Sequence, residues 1–241
     1  MALPRILEPE VMDSEQDARE YDEMNNSSAN TLFVDDLLNF ARSVAEPRQG
    51  SHDESDLDQV FELGDVLDLG TGTALIPVEL CRRHEDCRVM AVDLAASMLD
   101  LAVYNLEANS LSDRITLAQA DAKKLGFEDS MFDVAMSNSI IHHIADPLGS
   151  LEEMVRVTDA EGILFVRDLM RPDDLETLES LVETYTAEES EYVRKFYRDS
   201  LHAALTLEEI RAMVSRLGLD PQTVQATSDR HWTWATQNTP V

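Results

Sequence analysis

The run Asp68-Leu69-Gly70-Thr71-Gly72 holds the residues of this chain best suited to gripping a small ligand. Lacking a Cβ, Gly70 and Gly72 let backbone amides come close to a bound molecule. Asp68 puts a negative charge just before the turn, where it would repel a pyrophosphate and attract an ammonium or sulfonium cation. Two further acids, Asp93 and Asp121, end the apolar runs that follow. Beyond the next run stand His142 and His143, and a histidine near its ordinary pKa can take a proton at neutral pH. The plainer and favoured role for the pair has one ring capping or packing the next helix and the other facing solvent. Adjacent histidines do not readily converge on one ion, and beside Asp146 no further ligand is evident, so no metal is expected.

These residues need elements to position them. Val66 to Leu69, Arg88 to Asp93, Ile115 to Ala120, Phe132 to Ser137 and Gly162 to Arg167 read as five nearly wholly apolar strands. Between them, Ala74 to Arg83, Ala96 to Asn109 and Pro147 to Val157 read as helices. Apolar strands alternating with helices imply a parallel sheet covered on both faces, with ligands outside the carboxyl ends of the strands. Two closing β segments, Thr223 to Ala226 and His231 to Ala235, lie too close for a helical crossover and should pair as an antiparallel hairpin at the sheet edge. On the second, Trp232 and Trp234 share a face that reads as core. The expected fold is α/β, a doubly wound and mostly parallel seven-stranded sheet with a terminal antiparallel hairpin.

The remaining segments read as cover. Asp13 with Gln16 resembles a helix start, and Leu32 to Ala41 recur at helical spacing, so residues 1–55 form an expected N-terminal helical cap. Residues 56–171 are the α/β core. Residues 172–205 are a helical insertion over the substrate, and residues 206–241 carry the last helix, opened by the capping box Thr206/Glu209, and the hairpin. Arg167 and Arg171 follow the fifth strand at the active rim, and Tyr185 and Tyr197 lie on the insertion. If the arginines face the pocket, the substrate carries a carboxylate or phosphate; salt bridges to the abundant acids are the other reading.

Of 241 residues, 44% are apolar, enough for one such domain without a disulfide or metal staple. Cys81 and Cys87 have no partners at zinc-ligand spacing and read as two reduced thiols. There are 48 acids against 19 bases, a net charge of −29, and the only lysines are Lys123, Lys124 and Lys195. Such a surface repels phosphate backbones and anionic lipid, which argues against nucleic-acid or membrane partners. No run resembles a signal peptide or membrane span, so the expected location is cytoplasmic.

Nicotinamide, flavin and adenosylmethionine sites all use a G-x-G turn. A dinucleotide fingerprint wants glycine or alanine three residues after Gly72, where this chain has Leu75. With Asp68 and the reversed hairpin, that favours adenosylmethionine. The chain here resembles class I (Rossmann-like) S-adenosylmethionine-dependent methyltransferases of the small-molecule type. Val66 to Thr73 is similar to the family's first motif, with Ala74 in place of its third glycine. The resemblance implies that Asp93 binds both ribose hydroxyls, a task a carboxylate suits. It also implies that Asp121-Ala122 meets the adenine amino group and that Leu94 and Met98 lie against the adenosine. Tyr21 to Asn25 is similar to the N-terminal segment of the ubiquinone/menaquinone-biosynthesis methyltransferases, which implies that Tyr21 closes over the cofactor. Ser137-Asn138-Ser139-Ile140-Ile141-His142-His143-Ile144 looks like that group's motif after the fourth strand and brings Asn138 to the site.

The cofactor set is therefore Tyr21, Asp68, Gly70, Thr71, Gly72, Asp93, Leu94, Met98, Asp121, Ala122 and Asn138. The expected activity is in-line transfer of a methyl group from S-adenosyl-L-methionine to a small-molecule nucleophile, with His142 and His143 as candidate bases. The alternatives are an NAD(P)-dependent oxidoreductase of similar fold and a non-catalytic adenosylmethionine-binding protein. The sequence leaves the methyl acceptor and the oligomeric state open.

Overall fold

The computed structural model describes residues 3–9, 18–19, 22, 27–45 and 62–239. Its elements in chain order are α1 (Ser27–Val44), β1 (Asp65–Leu69), α2 (Leu75–Arg83), β2 (Arg88–Asp93), α3 (Ala96–Asn109), β3 (Ile115–Gln119), β4 (Phe132–Asn138), α4 (Leu148–Val157), β5 (Thr158–Leu169), α5 (Leu175–Thr186), α6 (Glu191–Ala203), α7 (Leu207–Arg216), β6 (Val224–Ala226) and β7 (His231–Gln237). A 3-10 turn, Ile141–His143, follows β4.

The strands form one seven-stranded sheet in the order β3-β2-β1-β4-β5-β7-β6. Neighbours from β3 to β5 run parallel, and β7 lies antiparallel to both β5 and β6. The seven strands and their closing hairpin are those expected from the sequence.

Two-residue alternation divides the core. Val66, Val134, Met136, Ile163 and Phe165 point to one face and meet Phe33, Leu37, Val78 and Leu106 of α1, α2 and α3. Leu67, Ala135, Leu164, Val166, Trp232 and Trp234 point to the other and meet Leu151, Met154, Ile210 and Val214 of α4 and α7. Both tryptophans are fully buried. The helix expected as part of an N-terminal cap, α1, is thus a layer of the core, with the Phe33 ring edge-on to Phe165 at 5.2 Å.

The insertion is two helices. Leu178, Leu181 and Val182 of α5 and Leu201 of α6 make a small apolar cluster with Leu169, against which Leu3 packs. The arm 3–9 is tied down beside them: Ile6 N–H donates to His202 O at 3.1 Å. Strand order reverses between β1 and β4, so a crevice opens at their carboxyl ends. No helix among the described residues is long and apolar enough to cross a membrane.

Candidate active site

The glycine turn is folded back on the end of β2. Gly70 and Thr71 N–H both donate to Val92 O, at 2.8 and 2.9 Å, and Gly72 N–H donates to Asp93 Oδ2 at 2.8 Å. Gly70 has φ +75°, and a Cβ there would come within 2.2 Å of Ile140 Cγ2. The turn after β4 therefore locks onto the turn after β1, and only glycine fits between them. Ala74 takes φ +61° just before α2, so the helix starts one residue later than its apolar pattern suggests. The left-handed conformation is kept although the glycine is not.

Asp93 is a hub. Its second oxygen accepts from Ala95 N–H at 2.9 Å. Each oxygen thus takes one amide, which fixes the carboxylate at the end of β2. Gln119 donates to Leu94 O at 2.9 Å, fixing the loop that leads to Met98. Asp121 accepts from Lys123 N–H at 2.9 Å and meets Lys123 Nζ at 3.0 Å. The Lys123 amide above all holds the Asp121 carboxyl below its usual range.

Gly70, Gly72, Asp93, Leu94, Met98, Asp121, Ala122 and Asn138 line one solvent-open cleft. Eight of the residues expected to bind the cofactor are therefore together. Asp68 and Thr71 lie beneath it, both buried. Asp68 Oδ2, Thr71 Oγ1 and Thr73 Oγ1 are buried without a hydrogen-bond partner. Burial above all pushes the Asp68 carboxyl up to about 7, and the Asp93 charge adds to the rise. Tyr21 lies outside the described residues.

The two histidines part ways. His143 lines the cleft; His142 turns into the protein, 3% exposed, with its Nδ1 2.5 Å from Asp168 Oδ1. Asp168 Oδ2 accepts from Ile141 N–H at 2.6 Å and His142 N–H at 3.2 Å. Burial opposes a charge on His142, but Asp168 and Glu8 overcome it and raise the pKa. Burial, then the His142 charge, drives His143 down to about 3. His143 is neutral at physiological pH and a weak base, and His142, the stronger one, does not face the cleft.

The four candidate substrate residues are placed elsewhere. Arg167 donates to Thr233 Oγ1 at 2.9 Å and Asp36 Oδ2 at 2.6 Å, with its guanidinium over Phe33 and Phe165. Arg171 donates to Ala204 O at 2.9 Å and Glu209 Oε1 at 2.6 Å. Tyr185 donates to Asp229 and stacks under Arg230, and the Tyr197 hydroxyl is buried among the cover helices. Of the two readings left open for the arginines, ion pairing to acids is the one the fold uses, though these pairs are half-buried rather than superficial.

Sequence reasoning missed Ile140, Ile144 and Lys123 in the lining. It also missed the arm. Arg5 donates to the carbonyls of Ala203, Ala145, His142 and Ile144, strapping the histidine turn to α6. Glu8 Oε1 then reaches both rings, 3.4 Å from His142 Nε2 and 3.1 Å from His143 Nδ1. The histidine motif itself could have flagged Ile140 and Ile144, but nothing local marks Glu8 among 48 acids.

Comparison with known proteins fits this geometry. Residues 67–166 match the family described as a methyltransferase domain. The chain is 32% identical over 108 residues to the demethylmenaquinone methyltransferase of Porphyromonas gingivalis, covering 44% of each chain. It is 40% identical over 76 residues to the release factor glutamine methyltransferase of Chlorobaculum tepidum, covering 30% of this chain and 26% of that one. The match thus spans less than half the length of either curated relative. A solved structure from Methanococcus maripaludis, assigned as an S-adenosyl-L-methionine-dependent methyltransferase, superposes with a TM-score of 0.70 at 16% identity, covering 98% of both chains. Residues 67–166 thus resemble the methyltransferase domain family, and the sheet around them has the class I, Rossmann-like architecture.

Proposed function

We propose that the chain is an S-adenosylmethionine-dependent methyltransferase that methylates a small molecule. What carries this reading is the convergence of the glycine turn, Asp93, Asp121 and Asn138 on one cleft at the carboxyl ends of β1, β2, β3 and β4. Bound there, the cofactor would supply a methyl group already activated on a sulfonium. The residues present fit it. The unpartnered oxygens of Asp68, Thr71 and Thr73 offer acceptors for an ammonium, which would relieve the cost of burying them. As carboxylates at the strand ends, Asp93 suits a cis-diol and Asp121 an aromatic amine, and Leu94 and Met98 offer apolar contact to a purine. Tyr21 is the residue we would place over the bound molecule.

For the acceptor, Ile140, Ile144 and His143 give the cleft wall an apolar surface with one neutral imidazole. With Arg167 and Arg171 committed to Asp36 and Glu209, neither is free to receive a carboxylate or phosphate. We infer an uncharged, largely apolar acceptor, the kind of substrate that the name of the Porphyromonas relative implies for that protein. The helices α5 and α6, with the arm 3–9, would cover it and exclude water. The free, buried Cys81 and Cys87 suit the reducing cytosol.

The deciding experiment is equilibrium binding of S-adenosylhomocysteine against NADH by calorimetry, followed by a screen of metabolite pools with methyl-labelled cofactor. Binding of S-adenosylhomocysteine and transfer of label to a small molecule is the expected result. Binding of NADH alone overturns the reading in favour of an oxidoreductase, and cofactor binding without any labelled product favours a non-catalytic binding protein.

A further inference from the structure

We propose that Glu8, His142 and His143 form a binding site for one divalent transition-metal ion of the zinc class at the wall of the cleft. The sequence offered an adjacent histidine pair with Asp146 and no further ligand, and no metal was expected from it. The fold supplies that ligand from the far end of the chain, because Arg5 pins the arm and sets Glu8 over both rings.

The geometry is that of a site with three protein ligands. One oxygen or nitrogen atom from each residue lies within 4.8 Å of the others. Glu8 Oε1 is 3.1 Å from His143 Nδ1 and 3.4 Å from His142 Nε2. Bonds of about 2.0–2.2 Å from an ion to nitrogen and oxygen put neighbouring ligand atoms roughly 3.0–3.5 Å apart, so these two spacings need little adjustment. The rings lie face to face at a slant, their centroids 4.2 Å apart.

Two independent features point to a ligand. Glu8 Oε1 and His143 Nδ1 are both buried, and neither has a hydrogen-bond partner among the described residues. The Glu8 side chain is 7% exposed, and a buried carboxylate oxygen left without a partner is costly and rare. An ion between the three groups would satisfy both atoms. The other feature is Asp168, whose 2.5 Å contact to His142 Nδ1 fixes that ring with Nε2 aimed at Glu8. Metal-bound histidines regularly donate their second ring nitrogen to a carboxylate in this way. Asp168 is itself held by the amides of Ile141, His142 and Leu169.

The ligand set of two imidazoles and one carboxylate suits zinc and its first-row neighbours, and three protein ligands leave a coordination position open. Because His143 lines the cleft, an acceptor hydroxyl or thiol could coordinate there and release its proton to water more readily. This consequence for the substrate rests on the methyltransferase reading; the ion site does not.

The test is titration of the full chain, stripped with a chelator, with Zn²⁺ alone at physiological salt. The expected result is one ion per chain. Glu8→Gln and His143→Ala should each weaken binding at least about 10-fold, and Asp168→Asn by roughly 10- to 100-fold. Cys81→Ser, which breaks up the pair of free thiols, should leave the affinity unchanged. Circular dichroism and thermal unfolding check that each variant is folded. Absence of stoichiometric binding overturns the site, as does wild-type zinc affinity in Glu8→Gln and His143→Ala. Zinc binding without S-adenosylhomocysteine binding would refute the proposed function alone, and the reverse would refute the ion site alone.

Discussion

Asp68→Asn separates the electrostatics of the glycine turn from its shape, because asparagine keeps the size of the side chain and loses the charge. Asp68 is 2% exposed, its Oδ2 has no partner, and burial lifts its pKa from 3.8 to about 7. A carboxyl whose pKa is raised on folding contributes stability that is full below the unfolded value and is lost as pH rises through the folded one. Across this window of about 3 units the loss amounts to roughly 4 kcal/mol, at about 1.4 kcal/mol per unit. Asp68→Asn should therefore be the more stable protein above pH 7, with the two curves converging near pH 4. Ligand binding should show the opposite preference. A cationic ammonium selects the ionised carboxylate, so wild-type affinity for S-adenosylhomocysteine should climb between pH 5 and 7 and level off above. The variant should bind about 10- to 100-fold more weakly at pH 8, the worth of one charge-assisted hydrogen bond, without that rise. The assays are urea unfolding and calorimetric binding at several pH values. Taking the difference between variant and wild type removes the general self-repulsion of a chain with net charge −29. Equal stability differences at pH 5 and 8, or unchanged affinity and slope, would refute the argument.

Three further substitutions probe the same corner. Asp93→Ala removes the acceptor for both Gly72 and Ala95 amides as well as the expected diol ligand; calorimetry should show loss of S-adenosylhomocysteine binding, with an accompanying fall in melting temperature. Gly70→Ala would drive a Cβ to 2.2 Å from Ile140 Cγ2 at φ +75°. Unfolding should show a cost above about 2 kcal/mol, partly recovered in the double variant with Ile140→Ala, since shortening that side chain relieves the clash but not the backbone strain. Ala74→Gly, at φ +61°, should be neutral or stabilising by up to about 1 kcal/mol, the reverse of the usual effect of glycine near a helix.

How far the sequence could be read depends on the distance over which each feature is decided. The sheet was legible because the apolar runs encode it locally: β2 and α3 have the bounds their patterns suggest, and Trp232 and Trp234 face the core as their alternation requires. Asp93 and Asp121 were legible for the same reason, since a residue at the end of a parallel strand is carried to the ligand edge whatever the rest of the chain does. The arginines were not. Arg167 belongs to β5 next to Asn138 in register, a position at the rim, yet its side chain turns to Asp36 of α1, a partner that only tertiary packing could choose. Sequence position thus fixed the backbone of Arg167 at the site without fixing its side chain there.

The histidine turn shows the same principle at its sharpest. Two neighbouring rings in one 3-10 turn have different chemistry because Asp168, on the adjacent strand, claims one and the cleft claims the other. The third member, Glu8, arrives on an arm whose placement depends on hydrogen bonds from Arg5 to carbonyls of two distant segments. Each of those bonds is modest by itself, about 1 kcal/mol or a little more for a charged donor. Loss of Arg5 would release Glu8 from both rings while leaving the glycine turn and Asp93 untouched. The grip on the cofactor is therefore built into the strand ends of the core. The environment of the histidines is instead conditional on an arm held from outside it, so the arm can differ between proteins that share the core.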